Sequence, residues 1–68
     1  MKKTYTLYVA NQKVWGSDSL MYHYFETIKD RNAFVRSADY ASVGGTVKLN
    51  ETQYYQFKQY GSWDSYAE

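Results

Sequence analysis

The chain has 68 residues, eight basic and seven acidic side chains, a net charge of +1, and neither cysteine nor proline. The charge balance argues against a duplex nucleic-acid binder and against an acidic nucleic-acid mimic. The lack of cysteine excludes a disulfide scaffold, thiol catalysis and thiolate zinc sites, and makes a cytoplasmic setting the simpler expectation.

The length predicts one compact domain over 1–68, near the lower limit at which a single core holds without staples, so a homodimer is an open expectation. Leucine and isoleucine are confined to Leu7, Leu20, Leu49 and Ile28, whereas nine Tyr, three Phe and two Trp make up 21% of the chain. The composition predicts an aromatic core, with more rings than so small a domain encloses and a surplus left for solvent or a partner.

The opening MKKTYTLYVA starts as signal peptides do, with two lysines, but its apolar part is short and alternating. It reads as a strand over 3–10, with Tyr5, Leu7 and Val9 inward and Thr4, Thr6 and Tyr8 outward. No segment approaches transmembrane length. Asn11-Gln12 is expected to turn the chain, Lys13–Trp15 to form a short second arm, and GSDS at 16–19 a loop. LMYHYFE at 20–26 is a second strand whose buried face is either Met21, His23 and Phe25 or Leu20, Tyr22 and Tyr24.

Thr27 followed by Asp30 predicts the start of a helix over about 28–38. Ile28, Phe34, Val35 and Ala38 share one arc of that helix, and Arg31 intrudes on it. Residues 39–50 admit a hairpin at Gly44-Gly45 or a helix end followed by one strand at 46–49, and the second is preferred because SADYAS has weak strand character. Asn50 with Gln53 forms a capping box for a helix over 51–60 that stops at Gly61. Its Tyr54, Phe57 and Tyr60 form a core arc, with Tyr55 outside it. The tail 62–68 is expected to be irregular or to fold back on the body through Trp63. The order β-β-α-β-α predicts an α+β fold: a small antiparallel or mixed sheet with two helices packed on one face and the other face open.

No residue pattern announces catalysis, a cofactor or a metal. His23 is the only histidine, without local support for a nucleophile triad, and reads as a hydrogen-bonded or exposed strand residue. Acidic residues are dispersed singly, without metal-binding spacing. VGGT at 43–46 lacks the lysine of a phosphate loop and reads as a turn. An enzyme would need a concave pocket uniting His23 with an acid.

Tyrosine and tryptophan suit protein interfaces, being large, stiff and tolerant of one wet end. The expected partner-binding residues are Tyr8, Tyr22, Tyr24, Arg31, Tyr55, Trp63 and Tyr66. Arg31 is also readable as a stem covering apolar surface with its head reaching solvent. The alternative function is single-stranded nucleic-acid binding, with Tyr8, Tyr22 and Tyr24 stacking bases on the open sheet face. In size, charge balance and lack of catalytic groups, the chain resembles the small accessory proteins that phages and mobile elements use to inhibit host machinery, anti-CRISPR proteins among them. That resemblance implies a non-enzymatic protein-binding inhibitor.

Overall fold

The computed structural model describes residues 3–67 and contains β1 (Tyr5–Lys13), β2 (Leu20–Phe25), α1 (Ile28–Ser37), β3 (Ala41–Leu49) and α2 (Glu51–Tyr60). Both helices begin and end where their capping residues dictate. The Thr27 hydroxyl accepts from the Asp30 amide at 3.1 Å, satisfying one of the free donors of the first turn. Asn50 and Gln53 exchange reciprocal side-chain to backbone bonds of 2.8 and 3.0 Å. Gly61 closes α2 at φ 77°, a left-handed conformation that costs glycine little.

The three strands form one antiparallel sheet in the order β2-β1-β3. The α+β class and the element order are those expected, but several boundaries and the layering differ. Asn11 and Gln12 do not turn the chain: β1 continues through them to Lys13, pairing with β2 and β3 at once. Bonds to two neighbouring strands outweigh the weak turn preference of Asn-Gln. Gly44-Gly45 neither makes a hairpin nor precedes the strand. The register moves from Tyr8 opposite Thr46 to Ala10 opposite Val43, so Val9 faces both glycines across a β-bulge within one continuous strand. A side chain at Gly44 would place its Cβ 3.0 Å from both Val9 Cγ1 and Val9 O, which explains the glycine there.

The helices lie on opposite faces of the sheet, not on one. Directly paired residues share a face, so Tyr8 and Phe25 lie on one side and Val9 and Tyr24 on the other. The ring of Phe34 in α1 packs on His23 and Phe25, at 4.5 and 5.4 Å. On the opposite side Tyr54 of α2 stacks on Tyr5 at 4.0 Å with planes 3° apart, and Phe57 meets Tyr24 edge-on. Both candidate faces of β2 are thus used near its C-terminal end. Alternation in β2 is ambiguous because apolar residues are wanted on both sides.

The fully enclosed core is aliphatic: Leu7, Val9, Ala10 and Leu49 are its buried residues. Every aromatic ring remains at least partly exposed, which corrects the expectation of an aromatic core. The area of fourteen rings is too large to vanish between a three-stranded sheet and two ten-residue helices, so the rings form a partly exposed shell around small aliphatics. Tyr60, expected within the α2 core arc, is 71% exposed.

Glu26, just past β2, ties the sheet to α2. Its carboxylate accepts from the Tyr54 hydroxyl and pairs with Lys58 Nζ at 3.0 Å. The Tyr54 bond, then the Lys58 bond, hold the Glu26 pKa below its ordinary 4.5. A carboxylate with a depressed folded pKa stabilises the fold fully above its unfolded value and loses that contribution as pH falls through the folded one. Thermal melts from pH 6 to pH 3 are therefore expected to show a fall in stability below 4.5 that Glu26→Gln flattens. An unchanged pH profile in Glu26→Gln would remove the tie. The pair is solvent-exposed, so the effect is small.

Candidate protein-binding surface

The residues expected to bind a partner are dispersed by the fold. Tyr8 is half-buried, with the Arg31 guanidinium 5.9 Å from its ring centroid. Arg31 also donates from Nε and Nη2 to Asn32 Oδ1 at 3.2 and 3.0 Å, so its stem covers the sheet while its head is held by a ring and an amide. Tyr22 and Tyr24 point to the opposite face from Tyr8, since Tyr8 pairs with Phe25. The open three-tyrosine platform for base stacking is therefore not assembled. Tyr24 packs edge-on against Trp63 at 4.9 Å, and Trp63 against Phe57 at 6.0 Å.

The tail does return through Trp63. Gln53 Nε2 donates to the carbonyls of Asp64 and Ser65, Asn50 Nδ2 to that of Ala67, and the Asp64 amide donates to Gln56 Oε1. Trp63 and Tyr24 thus serve the fold, whereas Tyr55 and Tyr66 are exposed at 62% and 91%. None of the three C-terminal aromatics shares a face with Tyr8.

Exposed apolar side chains gather instead at the sheet end remote from α2. Residues 10–13 of β1 pair there with the starts of β2 and β3. Leu20, Met21, Tyr22, Val43, Trp15 and Tyr40 are all exposed large hydrophobics at this end, Trp15 at 84%. A cleft runs between the 14–19 loop and residues 39–40, lined by Gln12, Lys13, Val14, Trp15, Met21, Asp39 and Tyr40. Its walls are apolar and its rim carries one positive and one negative side chain.

Backbone bonds hold the cleft open. The turn at 14–19 is closed by the Val14 amide donating to Ser19 O and the Ser17 amide to Val14 O, both at 3.1 Å. Tyr40 sits at φ 61°, the only non-glycine with positive φ among the described residues. For a bulky side chain this costs about 1–2 kcal/mol. The Lys13 amide holds it there by donating to Tyr40 O at 3.1 Å. Gln12 adds a second restraint, its Nε2 donating to Asp39 O at 3.2 Å while its Oε1 meets His23 Nε2 at 3.0 Å. An amide oxygen only accepts, so the His23 Nε2–H donates to it and His23 acts as the inner anchor of this chain. Among the described residues no acid bonds the His23 ring, and no three His, Cys, Asp or Glu are grouped to hold a metal ion.

Nothing in the sequence marks Trp15 or Tyr40 as a binding residue. Trp15 borders a loop of Gly, Ser and Asp, where a large apolar ring has no buried neighbour in prospect. Tyr40 follows a helix that ends at Ser37, and its positive φ leaves no trace in composition.

The chain is an α+β domain with a helix on each face of a three-stranded antiparallel sheet. Comparison with known proteins finds no matching family model, no matching curated protein and no matching solved structure. Among the described residues no helix is long and apolar enough to cross a membrane.

Proposed function

We propose that this chain is a non-enzymatic protein-binding domain that captures its partner at the cleft between Trp15, Met21 and Tyr40. The observation that carries the reading is Tyr40, a bulky side chain held in a costly backbone conformation beside the largely exposed ring of Trp15. Backbone strain that nearby bonds maintain is a mark of sites where geometry matters. An apolar floor with a charged rim at Lys13 and Asp39 is the anatomy of a protein contact, and Trp and Tyr are the residues that most often dominate its energy.

Capture is itself the activity in this reading, with the bound domain occluding a surface the partner needs. The resemblance of the chain to small phage and mobile-element inhibitors, in size and charge balance, supports that role.

The test is affinity capture from a lysate of the source cell, with the native chain, Trp15→Ala and Tyr40→Ala as parallel baits and mass spectrometry as the readout. A protein held by the native chain is expected to bind each variant at least about 30-fold more weakly, the loss typical of a hot-spot residue. Equal retention of the same proteins by all three baits would sink the proposal. Trp15→Ala is expected to melt as the native chain does, because its ring is largely in solvent.

A further inference from the structure

The two edges of the sheet are protected unequally. The β3 edge carries the Gly44-Gly45 bulge and the exposed Lys48, two devices that discourage strand addition. The β2 edge has neither. Its six residues, LMYHYF, contain no charge, no proline and no glycine, and they pair with β1 in unbroken register from Phe25 to Leu20. They combine high β-propensity with full neutrality, and among the described residues no backbone bond joins β2 to a segment other than β1 beyond its ends. Leu20, Met21 and Tyr22 alternate between the two faces and are about half exposed on each.

The chain as a whole exposes more surface than a monomer of its mass is expected to. The chain exposes 5286 Å², whereas a folded monomer of 8.0 kDa is expected to expose about 4,450 Å². The excess of roughly 800 Å² matches one partner's share of a standard interface. The radius of gyration points the same way, at 13.1 Å against about 11 Å for a compact domain of this length. Four buried side chains make a small core for an independent chain, and association is a usual remedy at this size. A net charge of +1 opposes self-association only weakly.

We infer that β2 pairs antiparallel with β2 of a second copy, joining the two sheets about a two-fold axis. The same strand meets itself, so the contact closes at two copies. The axis stands perpendicular to the sheet, which keeps corresponding faces on one side. Both Met21 side chains, and the two clefts they help to line, therefore open on the same side of the joined sheet. Two clefts presented together favour a partner that is itself repeated or two-fold, since the second contact forms at high effective concentration. The edge and the cleft involve different variants, so the dimer does not depend on the capture reading.

Sedimentation velocity over a concentration series tests it, with Tyr22→Lys and Leu20→Lys as edge variants and Trp15→Ala as a cleft variant. The native chain and Trp15→Ala are expected at twice the mass of one 8.0 kDa chain, and both lysine variants at the mass of one chain with an unchanged circular dichroism spectrum. Amide exchange in β2 is expected to slow in the native chain as concentration rises. A native chain that stays single at its highest soluble concentration would overturn the inference. So would a dimer that both lysine variants retain, or one that Trp15→Ala alone dissociates, because each places the contact elsewhere. Should the dimer fail while Trp15→Ala still loses its captured partner, the cleft reading stands without the edge.

Discussion

Leu7→Ala is expected to cost about 2–5 kcal/mol, the range for deleting a fully buried leucine side chain. Leu7 has no exposed surface, and it pairs with Val47 in the central strand beneath α2. A chain of this length has roughly 3–10 kcal/mol of stability at typical per-residue values, so this one change removes a large share of it or all of it. Urea unfolding followed by tryptophan fluorescence is the measurement, with the midpoint expected to fall by more than about 1 M for a slope near 1–2 kcal/mol/M. Tyr55→Ala supplies the contrast. It deletes a far larger side chain, yet Tyr55 is 62% exposed, and its unfolding free energy is expected to stay within about 0.5 kcal/mol of native. If the two variants unfolded together, the division between an aliphatic core and an aromatic shell would be wrong.

That division was hidden in the sequence for a physical reason. Composition counts rings and aliphatics but does not say how thick the layers are. Where local chemistry decides the outcome, the sequence was legible: Thr27, Asn50, Gln53 and Gly61 cap their helices as their side chains predict, and the alternation of Leu7 and Val9 places them inward. Where partners decide, it was not. Asn11-Gln12 stays extended because two neighbouring strands claim its backbone, and Gly44-Gly45 becomes a bulge because Val9 presses on it. The candidate site lies wholly in this second category. Composition treats Tyr22, Tyr24 and Trp63 alike, yet Tyr22 is exposed while Tyr24 and Trp63 pack on each other. Trp15 and Tyr40 owe their position to the length of β1 and to one positive φ, neither of which composition reports.

Gly44→Ala is expected to destabilise the fold by about 1–3 kcal/mol, the cost of forcing extra volume into a packed site, whereas Gly45→Ala is expected to be near neutral in steric terms. The two glycines are adjacent, yet an added Cβ meets nothing within 4 Å at Gly45 and meets Val9 Cγ1, Cβ and O at 3.0–3.1 Å at Gly44. Ordinary flexibility does not relieve the contact. The Val9 oxygen belongs to the backbone of the central strand, and moving it disturbs the pairing of that strand with its neighbours. Of the three contacting atoms, trimming Val9 to alanine removes Cγ1 alone and leaves Cβ and O, so the double variant Val9→Ala/Gly44→Ala is expected to recover a minor part of the loss. Urea midpoints of the two single variants and the double variant close the cycle. Full recovery would place the clash in the valine methyl alone and relieve the backbone of any role. Incomplete recovery identifies the bulge as a close approach of two strands that only glycine permits. The extra residue at the bulge also sets the phase of residues 41–43, and through them the position of Tyr40 at the cleft. Strain introduced at Gly44 is therefore felt at the surface proposed to bind a partner, at the far end of the same strand.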